Sequence, residues 1–217
     1  RDLASVSAFL LNRSSDLLAR ESEVKIVDLR FIDMPGLWQH FSIPVRDLTE
    51  DLFKEGIGFD GSSIRGFQTI NESDMLVKPV ADTAFIDPFL QEKTVVLICN
   101  ICDPLTGEDY TRDPRNIARK AEAYLKSSGV GEVAYFGPEA EFFLFHRTED
   151  GAPTRMTHDA GGYFDLGPVD LGEIARRDMV NMLTAMGFEV EAAHHEVAQG
   201  QHEIDFKYED ALTTADH

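Results

Sequence analysis

The sequence predicts an α+β fold in two parts: a small mixed α/β unit over residues 1–112, then the opening elements of a larger α/β unit over residues 113–217. Three observations predict it. The 217 residues are 43% hydrophobic and 27% charged, a composition typical of folded domains. β-Branched and aromatic runs alternate with stretches of helical spacing. Asp113-Pro114 then supplies a helix N-cap and a first-turn proline, which places the boundary near residue 112.

The elements of the first unit follow from local patterns. Apolar residues at helical spacing predict an opening helix, and β-branched or aromatic runs predict strands. The turn Met34-Pro35-Gly36 joins the first two strands into a predicted hairpin. In chain order, the predictions are a helix over 3–20, strands over Val24–Phe31 and Leu37–Ile43, a short helix over 46–54 ended by Gly56, an irregular stretch over 58–88, and a strand over Thr94–Ile101.

The second unit opens with a helix that Gly129 closes. A later helix is predicted to start at a capping box formed by Asp170 and Glu173 and to stop at Gly187. The predicted elements are a helix over Arg115–Ser127, a strand over Glu132–His146, an irregular stretch over 148–168, a helix over Asp170–Met186, and strands over Phe188–Ala198 and Gln201–Tyr208.

The charge balance narrows the class of partner. Twenty Lys and Arg residues stand against 39 Asp and Glu, which gives a net charge of −19. Such a chain repels phosphate backbones and anionic lipid, so we expect neither a nucleic-acid nor a membrane partner. The longest apolar run, Val95–Cys99, is too short to cross a bilayer. Most of the acidic excess is expected to be solvated surface, which leaves open whether some carboxylates hold cations.

Cys99 and Cys102 have the spacing of a redox or metal-binding pair. They lie on one predicted strand and at its end, where residues three apart point to opposite faces. We therefore expect two unpaired thiols, which fits a cytoplasmic protein in a reducing compartment.

Two acidic residues interrupt a strand that is rich in phenylalanine. Glu139 and Glu141 share one face of this strand, and burying two carboxylates side by side is costly. Phe143 and Phe145 continue the same face, so we expect that end to be covered. From this strand alone, a solvated face and a functional face stay equally open, because covered carboxylates need a cationic side chain or a metal ion.

The predicted hairpin around Gln199-Gly200 favours the functional interpretation. If that pair forms a two-residue turn, Glu196 faces Glu203 and His194 faces Asp205. Directly opposed like charges destabilise a hairpin unless something positive lies between them. Sites made of oxygen ligands favour hard cations such as Mg²⁺ or Mn²⁺.

Other motif matches are weaker. His194 and His195 lack zinc-type spacing, and we expect them to pack or to support ligands. The segment Gly56–Gly61 has G-x-G-x-x-G spacing, but it follows a predicted helix instead of a strand, so it lacks the dinucleotide-binding context. The sequence contains no G-x-x-x-x-G-K-[ST] phosphate loop and no G-x-S-x-G nucleophile motif.

Five motifs, in order, resemble the signatures of type I glutamine synthetases. They are Phe59-Asp-Gly-Ser-Ser-Ile64, Asn71-Glu-Ser-Asp-Met75, Gly137-Pro-Glu-Ala-Glu-Phe142, Gly162-Tyr-Phe164, and His194-His-Glu-Val-Ala followed by Gly200-Gln-His-Glu203. The resemblance covers essentially the entire chain and identifies it as the N-terminal portion of such an enzyme. It implies a β-grasp domain over residues 1–112 and the first part of the catalytic α/β domain over residues 113–217. Ala140 and Gln199 stand where relatives often carry proline.

The resemblance implies ATP-dependent ligation of ammonia to the side-chain carboxylate of L-glutamate through a γ-glutamyl phosphate, which gives glutamine, ADP and phosphate. Because two anions must meet, divalent cations, Mg²⁺ or Mn²⁺, are needed to neutralise them. The motifs assign Glu141, Glu196 and Glu203 to the ion beside the glutamate site. They assign Glu139 to the ion that orients the nucleotide phosphates.

Further roles are implied in the same way. Asp60 matches the aspartate that binds ammonium and takes its proton, with Ser63 beside it. In this family that aspartate reaches the active site of a neighbouring subunit, which implies a homo-oligomer of twelve subunits in two hexameric rings. The implied nucleotide-site residues are Glu191, Phe206, Lys207 and Tyr208.

The chain begins at Arg1 and stops at His217 inside a helix-like stretch, so we expect a fragment of a longer enzyme that makes no glutamine by itself. Two alternatives within the family are a ligase that joins glutamate to another amine and a catalytically silent structural or regulatory relative. Retention of mutually repelling carboxylates argues against the silent relative. The carboxylates alone also fit an unrelated metal-dependent hydrolase, which leaves residues 59–75 unexplained.

Overall fold

The computed structural model describes residues 23–217, and the helix expected over residues 3–20 lies outside them. The chain divides into two compact units. One comprises the described residues up to Ala134 together with Ala211–His217, and the other comprises Tyr135–Asp210.

The described residues form thirteen strands and four α-helices, with short 3₁₀ turns between them. The strands are β1 Ile26–Ile32, β2 Trp38–Pro44, β3 Ile57–Asp60, β4 Asp74–Pro79, β5 Phe85–Ile86, β6 Thr94–Cys102, β7 Tyr135–Phe136, β8 Glu139–Phe143, β9 Phe145–Arg147, β10 Pro153–Thr157, β11 Val190–His195, β12 Gln201–Phe206 and β13 Glu209–Asp210. The helices are α1 Glu50–Glu55, α2 Pro114–Ser128, α3 Glu173–Ala185 and α4 Ala211–Asp216. Among the described residues, no helix combines the length and apolarity that a membrane crossing requires.

The first unit is built on a mixed sheet in the order β2-β1-β6-β4-β3, with β5 paired beside β4 on β6. Strands β1 and β6 run parallel, and the other pairs run antiparallel. The β1–β2 hairpin and the central strand β6 confirm the predictions. One face carries the core, because alternate residues of neighbouring strands point to the same side. Its buried residues are Val27, Leu29, Phe31, Met75, Val77, Val95, Leu97, Cys99 and Ile101.

The helix cap predicted at Asp113 is present, and the same side chain also bonds to a strand. Its carboxylate accepts hydrogen bonds from the backbone N–H of Arg115, at 3.0 Å, and of Ile101, at 3.1 Å. One buried side chain therefore ties the start of α2 to the end of β6. Both cysteines of β6 are free and buried, as predicted.

Two predictions for the first unit are corrected. The helix expected over residues 46–54 is a 3₁₀ turn at Val45–Asp47 followed by α1, because Thr49 caps a new start at Glu50. The stretch expected to be irregular over residues 58–88 contains β3, β4 and β5. Pairing of β4 and β5 with β6, and of β3 with β4, stabilises these strands although their glycine and aspartate content is typical of loops.

The second unit centres on the antiparallel sheet β11-β12-β8, with α3 packed against β11 and β12. Strands β9 and β10 form one two-stranded ribbon, and β7 and β13 form another. The strand expected over Glu132–His146 is broken into β7, β8 and β9. The first break falls at Gly137-Pro138, where proline has no N–H to donate. The stretch expected to be irregular over residues 148–168 includes β10.

The helix predicted from Asp170 begins at Glu173. Its N-cap position is Gly172, which makes no side-chain cap. Asp170 instead accepts a hydrogen bond from Gly172 N and pairs with Arg176, so the predicted capping box does not form.

Candidate active site

The front face of the sheet β11-β12-β8 gathers the acidic residues. Glu203 of β12 lies directly opposite Glu141 of β8, and Asp205 lies opposite Glu139. Carboxylate oxygens of Glu139, Glu141 and Glu203 lie within 4.8 Å of one another. The structure therefore groups these side chains on one face, as the alternation along β8 predicts.

Glu196 reaches the same group from the hairpin loop. Ligand atoms of His194, Glu196 and Glu203 form a second set within 4.8 Å, so Glu203 belongs to both sets. The Glu196 carboxylate accepts a hydrogen bond from Val197 N at 2.8 Å. All four glutamates that the sequence singled out thus converge around Glu203.

The predicted hairpin register is wrong by two residues. His194 lies opposite Glu203, and the backbone of Glu196 pairs with Gln201. The loop is longer than two residues because Glu196 N donates a hydrogen bond to Gln201 O at 2.8 Å, which leaves residues 197–200 between the paired positions. The positive φ angle of 70° falls on Gly200, so Gln199 is spared an unfavourable conformation.

Glu203 is the buried member of the cluster, with 7% of its surface exposed. Burial raises the pKa of Glu203, and contacts with the Glu196 and Asp205 carboxyls raise it further, to about 8. Within the described chain, the buried Oδ1 atom of Asp205 has no hydrogen-bond partner. Carboxylates that repel one another, together with an orphaned acceptor, are the donor set that a hard divalent cation fits.

His194 extends the carboxylate face. Its Nε2 lies 3.5 Å from Glu203 Oε2, and its Nδ1 lies 3.7 Å from Glu196 Oε1. The rings of Tyr163 and Phe164 stack on each other and meet the His194 ring edge-on. Local sequence patterns could not place this aromatic pair beside the carboxylates, because the hairpin and residues 163–164 are distant along the chain.

Phe143 and Phe145, which were expected to be covered, are each 46% exposed and stack on one another with ring centroids 5.8 Å apart. The expectation is therefore wrong for the described chain. Beside them, the Gln201 amide donates a hydrogen bond to Glu141.

Behind the sheet lies a buried charged network, of which the sequence predicted only that His195 would pack or support a ligand. Its histidines, His195 and His202, oppose each other in register and are both 0% exposed. Asp159 lies 3.0 Å from His195 Nε2, and Arg176 lies 2.8 Å from His202 Nδ1. Burial acts to raise the pKa of Asp159, but hydrogen bonds from His195, Leu171 and Gly161 outweigh it and lower that pKa to about 2. The alternation of side chains along β11 and β12 was the signal that could have located this network, because it puts each histidine on the face opposite its neighbouring glutamate.

Asp60 and Ser63 belong to the first unit. The Asp60 carboxylate accepts hydrogen bonds from Ser62 N at 2.9 Å, Ser62 Oγ at 2.6 Å and Ser63 Oγ at 2.8 Å. These bonds, that of the Ser62 side chain first, lower the pKa of Asp60 and keep this exposed group ionised.

The predicted nucleotide-site residues lie toward the end of the β11–β12 hairpin that is remote from its loop. Glu191 sits at the irregularity between Val190 and Ala192 and is exposed. Lys207 Nζ pairs with Glu189 at 2.7 Å, and the exposed Tyr208 ring meets Tyr135 edge-on. The remaining member, Phe206, packs edge-on against Phe188.

Two family models match this chain. The model for the glutamine synthetase β-grasp domain matches residues 23–104, and the model for the glutamine synthetase catalytic domain matches residues 111–217. These matches confirm the predicted fold class. The chain is 49% identical to a glutamine synthetase of Aquifex aeolicus over 93% of its own length and 48% of that protein.

The chain is also similar to a relative with a different printed name and to a solved structure. A 3-hydroxylaminophenol mutase of Cupriavidus pinatubonensis is 42% identical over 92% of this chain and 48% of that protein. The solved structure of Plasmodium falciparum glutamine synthetase superposes with a TM-score of 0.79 at 25% identity, over 94% of this chain and 46% of that one. The chain thus spans about half the length of the curated relatives it matches.

Proposed function

Because the chain belongs to the glutamine synthetase family, we propose that the protein it represents ligates ammonia to the side-chain carboxylate of L-glutamate at the expense of ATP. The reaction passes through a γ-glutamyl phosphate and releases glutamine, ADP and phosphate. The observation that carries this proposal is the convergence of four glutamates on the front face of β11-β12-β8, with Glu203 buried among them.

The proposed metal ligands are these four residues. Glu141, Glu196 and Glu203 would hold the Mg²⁺ or Mn²⁺ ion beside the glutamate site, and Glu139 would be a ligand of the ion at the nucleotide phosphates. A bound divalent cation neutralises the anionic oxygens of glutamate and phosphate that have to approach each other. The fit rests on the oxygen donors and on the burial and mutual repulsion of the carboxylates, which raise the pKa of Glu203.

Asp60 is the proposed ammonium-binding residue, with Ser63 beside it. Its carboxylate stays ionised because three donors hold it, so it can attract ammonium and take the proton that makes the amine nucleophilic. We propose that it serves the active site of a neighbouring subunit in a ring of a twelve-subunit assembly.

Glu191, Phe206, Lys207 and Tyr208 are the proposed border of the nucleotide site. The exposed Tyr208 ring offers a face on which a base can stack, and Lys207 is a cation at the same end of the hairpin. We place the protein in the cytoplasm, where its two free buried cysteines stay reduced.

The first test changes the buried ligand in the intact protein. Glu203→Gln removes one charge and one anionic donor from both groups of ligand atoms, so we expect loss of Mn²⁺ binding and of ATP- and ammonia-dependent glutamine formation. The matched control is Glu149→Gln, an exposed glutamate of the same unit outside the cluster, which is expected to leave both unchanged. Unaltered Mn²⁺ affinity and glutamine formation in Glu203→Gln would contradict the metal assignment.

The second candidate function is ligation of glutamate to an amine other than ammonia. The relative named as a mutase shows that similarity at this level spans more than one named activity. Phosphate release measured with ammonia and with a series of alkylamines distinguishes the two ligases. A silent structural or regulatory role is disfavoured because an assembly protein gains nothing from opposed carboxylates.

A further inference from the structure

The back face of the β11–β12 hairpin holds a charged network that the proposed chemistry leaves unused. His195 and His202 are fully buried there, and the residue that follows each of them is a proposed metal ligand, Glu196 or Glu203. Because neighbouring residues of a strand point to opposite faces, each back-face imidazole is attached to the backbone next to a front-face carboxylate.

Asp159 is the centre of this network. Its Oδ1 accepts hydrogen bonds from Gly200 N at 3.0 Å and from Gly161 N at 3.3 Å, and it lies 3.0 Å from His195 Nε2. Its Oδ2 accepts from Leu171 N at 3.1 Å and lies 3.0 Å from His158 Nε2. The side chain is 1% exposed, so this carboxylate is satisfied by protein groups alone.

These contacts secure both ends of the hairpin loop. At its start, His195 Nδ1 lies 2.7 Å from the carbonyl oxygen of Glu196, so the imidazole bridges the Asp159 carboxylate and the Glu196 backbone. At its end, Gly200 N donates to the same carboxylate oxygen.

The surrounding backbone is fitted to the His195 imidazole. A Cβ atom at Gly161 would lie 2.6 Å from His195 Nε2, so glycine is the residue that allows this approach. A network built this closely around one ring constrains where the ring lies, and the ring in turn constrains Glu196.

We propose that Asp159 is a positioning residue, which holds the loop through His195 and Gly200 so that the Glu196 carboxylate stays directed at the cation shared with Glu203. This role rests on the proposed metal site. Buried ionic groups seldom stabilise a fold more than well-packed apolar residues do, whereas outer partners of metal ligands commonly orient them. The arrangement suits orientation because Asp159 reaches the ligand through one rigid ring.

The test compares Asp159→Asn with the wild type in the intact protein. The amide keeps the shape but carries two donor hydrogens where the carboxylate accepts from four N–H groups, so the loop loses its anchor. We expect the Mn²⁺ dissociation constant to rise about 10–100-fold, and the apparent KM for Mn²⁺ to rise while kcat at saturating Mn²⁺ is largely retained. Without metal, hydrogen–deuterium exchange of the 196–201 segment is expected to accelerate.

Asp28→Asn is the matched control, because Asp28 is a similarly buried, multiply bonded aspartate of the other unit. It is expected to lower the unfolding temperature while leaving Mn²⁺ affinity and exchange of the 196–201 segment unchanged. If Asp159→Asn does not fold, His195→Gln replaces it, since it keeps a donor for Asp159 but loses the ring that reaches the Glu196 carbonyl.

The outcomes separate this inference from the proposed function. If the wild type binds Mn²⁺ and a folded Asp159→Asn or His195→Gln binds it equally well, the positioning role is wrong while the metal site stands. If the wild type and Glu203→Gln both fail to bind Mn²⁺, the metal site is wrong and the positioning role falls with it. Weakened binding that excess Mn²⁺ overcomes supports the positioning role.

Discussion

Asp28 shows, at the scale of one residue, how a buried carboxylate is kept ionised. It accepts hydrogen bonds from Arg30 Nε at 2.8 Å and Ser42 Oγ at 2.9 Å, and His40 Nδ1 lies 2.8 Å away. Burial acts to raise the pKa of Asp28, but the contacts with His40, Arg30 and Ser42 outweigh it and lower that pKa below its usual 3.8. The ionised form of Asp28 therefore stabilises the folded first unit.

Asp28→Asn is expected to destabilise the protein by about 1–3 kcal/mol near neutral pH, because buried donors lose a charged acceptor. A lowered folded pKa means that the contribution of Asp28 is full above the unfolded value of 3.8 and is lost as the pH falls through the folded value. Urea unfolding of wild type and variant over a pH series measures this difference, which should shrink below pH 3.8.

Asp82→Asn serves as the control for that series, since Asp82 is exposed in the same unit and should change stability by less than about 0.5 kcal/mol. A difference between wild type and Asp28→Asn that persisted undiminished at the acid end would contradict the account.

At the scale of elements, the length of the β11–β12 loop decides which residues meet. The hydrogen bonds that close the loop set His194 opposite Glu203 and leave Glu196 beyond the end of the strand. Gly200 makes this loop possible, since its φ of 70° is a conformation that other residues adopt at a cost. A Cβ atom there would also lie 2.8 Å from Thr157 Cβ and 3.1 Å from the Leu144 carbonyl oxygen.

Gly200→Ala is therefore expected to destabilise the second unit by about 1–3 kcal/mol, through backbone strain and the close contact with β10. Gln199→Ala, one position earlier and exposed, should be close to neutral. Chemical denaturation of the two variants gives the comparison. Equal midpoints for both variants would show that the loop tolerates a side chain at Gly200.

At the scale of the whole molecule, the proposed active site draws Asp60 from one subunit and the carboxylate cluster from its neighbour. Asp60→Asn and Glu203→Gln should each abolish glutamine formation in the intact protein. Rings assembled from an equal mixture of the two inactive variants should regain about one quarter of the wild-type activity, because about that fraction of interfaces pairs two unaltered halves.

Activity of co-purified mixed rings, compared with each variant alone, measures this restoration. Mixed rings without activity would show that Asp60 and the cluster serve the same subunit.

The isolated 217-residue chain is predicted to form no glutamine, and ATP- and ammonia-dependent product from it would contradict that prediction.

Local patterns in the sequence predicted a large part of the fold and the identity of the acidic cluster. The hairpin β1–β2, the strand β6 and the cap at Asp113 follow from residues close together along the chain. The alternation of Glu139 and Glu141 likewise required only the period of a strand. Short strands such as β3 and β4 were missed because their composition is typical of loops and their pairing partners supply the stability.

By itself, the sequence determined which side chains are proposed for metal and ammonium binding, because motif identity and strand alternation are local properties. Only the tertiary structure decided that Glu203 is the buried centre of the cluster, that His194 opposes it, and that Asp159 supports the loop from behind. Asp159 and His195 are 36 residues apart, and nothing local relates them. Register, burial and hydrogen bonds between distant segments depend on how the strands pair, which no single stretch of sequence specifies.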